Sequence, residues 1–404
     1  MYNNIMWGQT GPLDINKCTD WSSKEFLDLH WIFLEITNQL IKYKISDYMI
    51  IIVEHANHNL LDNLSLFVQK NIIVVQTDHL HHNSLLRQIE FTSNENYSIP
   101  FLIINTILNF ISAANKHLDK NIIFYSLVAN LTRETDQLLI PKNLIIKHLG
   151  IGNLFHKSVQ YKNSPVIITK SKDARTFVCL NNNNRPHRMA AVTYLLADDL
   201  DKYGYISCIN WELDPGAACF LDWCFDSKLH TAIATKIKNG IAKFDNNKLL
   251  ELPCHEYYLI NYNQNLAPLY HNTFIDIVTD TTFFEPSAFL NDKYVNSILG
   301  ANFPIFIASN GTVEQLRQSG FDVFDDVIDH SYDTIIDPAV RLSQAIELNR
   351  HLLTDIELVN RLWHINANRF KKNQQYFYNE FRQVSENILI TEFESGVFEL
   401  VKKS

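Results

Sequence analysis

The sequence predicts an α/β protein built from two Rossmann-like domains, and two observations lead to this class. In both halves of the chain, short apolar runs rich in β-branched residues alternate with segments of helical periodicity, as in parallel strands joined by crossover helices. The length of 404 residues suits two domains of about 150 to 200 residues each. We therefore expect ligands at the loops that follow the carboxyl ends of the strands.

The composition is that of an ordinary globular protein, with 46% hydrophobic and 20% charged residues. A net charge of −9 argues against a general nucleic-acid coat, because binding to phosphates depends on lysine and arginine. The six cysteines form no CxxC pair, so reduced thiols and a cytoplasmic location are expected. The amino terminus has no signal-peptide pattern, and the longest apolar stretch is too short for a membrane anchor.

The first half of the chain reads as an α/β layer. Its predicted elements are a glycine-containing loop at 7–12, a helix at 23–43, strands at 48–53, 71–75 and 121–128, and a helix at 138–150. A polar stretch near 155–175 breaks this periodicity, which places a domain boundary at about residue 165.

The second half opens with a strand at 177–180 that runs through four asparagines into a helix. Asn182, Arg185, His187 and Arg188 lie at the amino end of that helix, where exposed N–H groups and the helix dipole favour an anion. Arginine suits a diphosphate because its planar fork donates two parallel hydrogen bonds. The alternative interpretation is a solvated basic helix start.

A second strand–loop–helix unit covers residues 274–332. Strands are predicted at 274–278 and 304–308, and the helices after them begin near 292, with Asn291 as the N-cap, and end at Gly320. The loop after the first of these strands is polar and aromatic, and we expect its phenylalanines to be core residues by default. Asp325, Asp326 and Asp329 resemble a metal site but are interpreted as groups that cap loop backbone.

These residues also carry a family resemblance. From about residue 176 to 350 the chain resembles the donor-binding half of a GT-B glycosyltransferase, and it is similar in particular to the α-1,3-fucosyltransferase family with its phage and bacterial relatives. The family pattern of aromatic-x-x-Glu-Lys is matched by Phe289, Asp292 and Lys293, where the aspartate is one methylene shorter than the glutamate.

The resemblance implies a nucleotide sugar as co-substrate and two facing domains. It implies a diphosphate held by Arg185, Arg188 and Lys293 and by helix dipoles, with no metal and no other cofactor. By the same resemblance Phe289 would stack on the nucleobase and Glu285 would contact a sugar hydroxyl. The expected domains are 1–165 on the acceptor side, 166–350 on the donor side, and 351–404 as helices and a short hairpin, turning at 395–396, that pack across the domains.

An inverting transferase also needs a base on the acceptor side. Glu54 follows the predicted strand at 48–53, and Asp78 and His79 follow the one at 71–75, so these three are the candidates, although a carboxylate at a strand end is often only a helix cap. The acceptor is left open between a glycan, a small molecule and modified DNA. The alternatives are an inactive protein that binds sugar nucleotides and a phage-type transferase that glycosylates modified DNA bases.

Overall fold

The computed structural model contains two compact units. The first comprises Met1–His156 together with Arg382–Ser404, and the second comprises Lys157–Phe381. The structure describes residues 5–8, 36–53, 69–76, 108, 110–126, 138–148, 166–181, 186–208, 231–244, 249, 266–280, 283, 290 and 292–403.

The first unit contains a parallel sheet of five strands in the order β1-β2-β3-β4-β5. Its elements are β1 Ile5–Gly8, helix α1 at 36–42, β2 Tyr48–Val53, β3 Asn71–Gln76, helix α2 at 110–116, β4 Asn121–Ser126 and β5 Leu144–His148. The strands predicted near 48, 71 and 121 are therefore confirmed.

The two faces of this sheet pack against different helices, because successive side chains of a strand point to opposite sides. On one face Phe124 of β4 stacks on Phe110 of α2, with ring centroids 4.2 Å apart. On the other face the next residue, Tyr125, meets Phe393 edge to face at 5.0 Å and donates a hydrogen bond to its carbonyl oxygen at 3.0 Å. Phe393 lies in the carboxyl-terminal helix of the chain.

The second unit contains a parallel sheet of four strands in the order β7-β6-β8-β9. Its strands are β6 Arg175–Cys179, β7 Gly204–Ile206, β8 Thr273–Thr279 and β9 Phe303–Ile307. Its helices are α3 Pro186–Ala197, α4 Thr231–Ala242, α5 Ala267–His271, α6 Asp292–Gly300, α7 Thr312–Gln318, α8 Pro338–Glu347, α9 Arg350–Thr354 and α10 Ile356–Gln375, followed by a π-helical turn at Tyr376–Glu380. A last helix, α11, spans Phe381–Lys403 and belongs to the first unit from Arg382 onward.

The strand order of the second sheet creates a switch point. The chain passes from β6 to β7 on one side, and then crosses back over β6 to add β8 on the other side. In open parallel sheets, ligands bind beyond the carboxyl ends of the two strands where the order reverses. Here these strands are β6 and β8.

The core of the second unit lies between this sheet and the helices that follow it. All seven residues of β8 are buried, as expected for a central parallel strand. Phe303 of β9 packs against Phe324 and Phe370 at centroid distances of 5.1 and 4.8 Å. Each such ring contributes about 1.5 to 3 kcal/mol by its removal from water.

The predicted α/β class, with two parallel sheets and carboxyl-terminal helices, is confirmed. The described part of the chain contains no helix long and apolar enough to cross a membrane.

Three local predictions are wrong. The helix predicted at 138–150 instead contains β5, because Leu144 to Ile146 pair with β4 and the side chains of Leu144 and Ile145 are buried there. Of the loop predicted at 7–12, Trp7 and Gly8 instead belong to β1, which pairs with β2, and residues 9–12 lie outside the described residues. The segment predicted as a terminal hairpin is helical, and Gly396 lies inside α11. A Cβ at Gly396 would lie 2.3 Å from the hydroxyl of Tyr125.

Candidate functional site

Asn181 joins the carboxyl ends of three strands at the switch point. Its side-chain oxygen accepts a hydrogen bond of 2.6 Å from the Thr279 hydroxyl at the end of β8. Its backbone N–H donates to the Ser207 hydroxyl at 2.9 Å, and its side-chain amide donates to the Ser207 carbonyl at 3.2 Å, just after β7. All three residues are buried, so this edge of the sheet is held together by satisfied polar groups.

Two basic residues in the first turn of α3 reach the end of β8. The helix begins at Pro186, whose fixed φ suits the first helical position, and first-turn side chains point back over the edge of the sheet. His187 Nε2 lies 2.8 Å from the carbonyl oxygen of Asp280 and therefore carries the proton. Arg188 donates to the same oxygen from Nε at 3.3 Å and from Nη2 at 3.1 Å.

A third basic residue approaches the same point from α6. Lys293 lies in the first turn of that helix, and its ammonium donates to the carbonyl oxygen of Thr279, next to Asp280. Basic side chains from two helix starts thus meet at residues 279–280. The carbonyl oxygens of Thr279 and Asp280 accept these bonds and thereby orient the three basic side chains.

The field of these cations reaches the neighbouring strands. Burial raises the pKa of the Cys179 thiol to about 12, while the charges of Lys293 and Arg188 both act to lower it. Burial also raises the pKa of Asp276, in the middle of β8, to about 6, although hydrogen bonds from Ser297 and Tyr270 and the charges of Lys293 and Lys170 favour its ionised form. The charges of Lys293 and Arg188 therefore act on β6, and the charge of Lys293 also acts on β8.

Asp280 and Tyr294 are site residues that sequence reasoning missed. Asp280 is fully buried, its backbone N–H donates to the Ile307 carbonyl at 3.0 Å, and its carboxylate accepts a hydrogen bond from the Tyr294 hydroxyl. Burial, and next the charge of Asp280, raises the pKa of Tyr294 well above its usual value. A signal was present, because Asp280 directly follows an apolar strand and Tyr294 directly follows Lys293.

Phe283, in the loop after β8, packs against two basic side chains. As predicted for this loop's aromatics by default, it is a core residue with 2% of its surface exposed. Its ring stacks on His187 with centroids 4.9 Å apart and planes 17° apart. The same ring lies 5.0 Å from the guanidinium of Arg341 in α8.

Of the predicted site residues, only His187, Arg188 and Lys293 have described side chains, and the structure brings these three together. His187 and Arg188 are 4% and 3% exposed, so they do not form a solvated basic helix start. Asp292 is the first residue of α6, but its side chain is outside the described set. The remaining predictions fall outside the described residues and stay predictions: Glu54, Asp78, His79, Asn182, Arg185, Glu285 and Phe289.

The acidic residues at 325–329 are engaged in pairing and capping. Asp325 accepts two hydrogen bonds from Arg317, at 2.9 and 3.0 Å, and Asp326 accepts from Arg369 at 2.7 Å. Asp329 accepts from the backbone N–H of Ser331 at 2.9 Å, which is a local cap. Within the described ranges, no group of three or more His, Cys, Asp or Glu residues could hold a metal ion.

Comparison with known proteins gives one structural similarity. No family model matches the chain, and no curated protein matches it. The fold is similar to a crystal structure of the DNA modifying enzyme beta-glucosyltransferase, determined in the presence and absence of its substrate uridine diphosphoglucose. The TM-score is 0.39 with 8% sequence identity, and the alignment covers 95% of this chain and 98% of that chain. The resemblance to α-1,3-fucosyltransferases stays a prediction from the sequence.

Proposed function

We propose that this chain is a GT-B-type glycosyltransferase that takes a sugar from a nucleoside-diphosphate donor bound at the carboxyl edge of the second sheet. The observation that carries the proposal is the meeting of Arg188 and Lys293 at residues 279–280, beside the switch point between β6 and β8. A diphosphate placed there would meet two oriented cations and the amino ends of α3 and α6.

The same arrangement fits the chemistry of sugar transfer. As the bond between the sugar and the diphosphate breaks, negative charge builds up on the leaving phosphate oxygen. Arg188 and Lys293, already held by the Asp280 and Thr279 carbonyl groups, would stabilise this charge without reorganising. His187, with its proton held on Nε2 by the Asp280 carbonyl, would keep the start of α3 in place.

The remaining predicted residues complete this proposal. Phe289 would stack on the nucleobase, and Glu285 would bind a sugar hydroxyl. Glu54, or else the pair Asp78 and His79, would remove a proton from the acceptor hydroxyl. The reaction would run without a metal ion, because protein cations and helix amino ends take the place of one at the diphosphate.

A second candidate is a protein that binds a sugar nucleotide without transferring the sugar. It would use the same donor site but would lack the acceptor-side base, whose candidates Glu54, Asp78 and His79 lie outside the described residues. Turnover separates the two candidates, because only a transferase releases nucleoside diphosphate from the donor.

The test begins with a thermal-shift panel of UDP-, GDP-, ADP- and CDP-linked sugars that includes UDP-glucose. A donor at about 100 times its Kd adds about 2.7 kcal/mol to the free energy of unfolding. Each donor that stabilises the protein is then incubated with a glycan mixture, or with duplex DNA that carries hydroxylated bases, and diphosphate release is measured. Binding with no release under any acceptor would leave the second candidate, and stabilisation by no donor would contradict both.

A further inference from the structure

Arg341 of α8 is an arginine whose side chain is buried among backbone carbonyl groups. Only 2% of its surface is exposed. Nε donates to the Ala308 carbonyl at 2.9 Å, and Nη2 donates to the Phe283 carbonyl at 2.5 Å. Nη1 donates to the carbonyls of Ile335 and Ile336 at 2.6 and 3.0 Å. A single guanidinium therefore holds three separate stretches of chain.

Two of these stretches belong to the carboxyl edge of the second sheet. Ala308 directly follows β9, and Phe283 lies in the loop that follows β8. The Phe283 ring contacts both the Arg341 guanidinium and the His187 ring. A continuous series of contacts thus leads from α8 through Phe283 and His187 to the Asp280 carbonyl, where Arg188 also donates.

Arg341 also affects Asp333, the carboxylate that caps α7. Asp333 accepts hydrogen bonds of 3.2 Å from the backbone N–H groups of Val313 and Glu314 in the first turn of α7. Burial raises the pKa of Asp333, and the charge of Arg341 is among the effects that lower it. The cation therefore favours the ionised form of the carboxylate that caps α7.

We propose that Arg341 is a positioning residue of the donor site, and the proposal rests on the function proposed above. It holds the loops after β8 and β9 at the spacing that the nucleoside diphosphate requires, and it acts through their carbonyl groups and not by touching the ligand. A lysine would keep the charge, but its three N–H donors leave one nitrogen, whereas Arg341 reaches the carbonyls of Ala308, Ile335 and Phe283 from three separate nitrogens.

The test compares R341K and R341Q with the control variant W363F. Trp363 is also buried and donates one hydrogen bond to a backbone carbonyl, that of Ala301 at 2.7 Å, but it does so before β9, at the opposite edge of the sheet. Two measurements are made on the full chain. One is amide hydrogen exchange of the ligand-free protein over 277–283 and 305–311, and the other is calorimetric binding of UDP, GDP, ADP and CDP.

We expect R341K to speed exchange in these two segments by about tenfold. We expect it to raise the Kd of the diphosphate that binds the wild type best by about tenfold as well, while W363F changes that Kd by less than about twofold. R341Q should reproduce both effects with the charge removed.

Every other outcome contradicts a specific part of the proposal. Unchanged exchange in R341K means that Arg341 does not hold the two loops. Faster exchange with an unchanged Kd means that the loops are held for stability alone, and the positioning proposal fails. If the wild type binds none of the four diphosphates, the proposed function is wrong, and so is the positioning role of Arg341 in a donor site, whatever the exchange shows.

Discussion

At each edge of the second sheet a basic side chain donates to backbone carbonyl groups, but the two side chains have different surroundings. At the amino edge, Lys170 is partly buried and donates to the carbonyls of Tyr270 and Gly300, at 2.8 and 2.7 Å, just before β8 and β9. At the carboxyl edge, Arg188 donates to the carbonyl of Asp280, just after β8. Both cations are aligned by neutral backbone groups.

The difference lies in what surrounds each cation. The Lys170 ammonium lies 5.6 Å from the ring of Trp363, and α10 also binds the segment before Lys170 through Gln374, which donates to the Ile167 carbonyl at 3.1 Å. Arg188 instead lies at a helix start beside loops that follow two strands. A basic side chain that donates to carbonyl groups is therefore not a ligand site by itself. Ligands are expected only where such a side chain lies at the carboxyl ends of the strands.

The largest effect is expected at the amino edge. Replacing Lys170 with methionine leaves the acceptors of Tyr270, Gly300 and Asn302 without this donor, and it should lower the free energy of unfolding by on the order of 4 kcal/mol. Urea denaturation measures the loss. The control is K172M, two residues away and exposed, which should leave stability unchanged. If fully folded K170M binds nucleoside diphosphate more weakly than the wild type, the amino edge also contributes to binding, which would contradict the proposed difference between the two edges.

The next effect is a pH dependence of stability from Asp276, which lies between the two edges. Its folded pKa of about 6 is above the ordinary value of 3.8, so the folded state holds the extra proton. This contribution is fully present below pH 4 and is lost as the pH rises through 6, a change of up to about 3 kcal/mol. Denaturation of wild type and D276N at pH 4, 5, 6 and 7 should show this fall in the wild type only. Parallel curves would mean that the pKa of Asp276 is the same in the folded and the unfolded protein.

At the carboxyl edge, replacing Arg188 with glutamine should weaken nucleoside diphosphate binding by about 1.5 to 3 kcal/mol, the worth of a charge-assisted hydrogen bond. K293A should have an effect of similar size. The matched control is R175Q, because Arg175 also donates to a backbone carbonyl, that of Gly204 at 2.9 Å, but at the amino edge. Calorimetry measures the affinity. If R188Q and K293A bind the diphosphate as tightly as the wild type, the assignment of the donor site to Arg188 and Lys293 is wrong.

The smallest effect is expected from chelation. If Arg188, Lys293 and the amino ends of α3 and α6 carry the charge of the diphosphate, sugar transfer should keep its rate in EDTA. The measurement is diphosphate release with and without chelator, and the control is re-addition of magnesium or manganese. Activity that disappears in EDTA and returns with either ion would contradict the metal-free proposal.

Much of the second unit was predictable because its signals are local. The strands β6, β8 and β9 are apolar runs bounded by polar turns, and α3 and α6 begin where the sequence places basic residues after such runs. The terminal segment was not predictable in the same way, because Ser395 and Gly396 have the composition of a turn. Gly396 instead permits a helix to approach Tyr125, more than 250 residues earlier in the chain.

The sequence by itself therefore determined the α/β class, the order of most elements and the presence of His187, Arg188 and Lys293 at two helix starts. Only the tertiary structure decided that β8 lies beside β6 with β7 on the other side, which makes their carboxyl ends a switch point. It also decided that Asp280 receives the basic side chains and that Arg341 joins the loops after β8 and β9. The physical reason is that strand order, burial and hydrogen-bond partners depend on residues far apart in the chain, whereas helix starts and strand periodicity depend on neighbours.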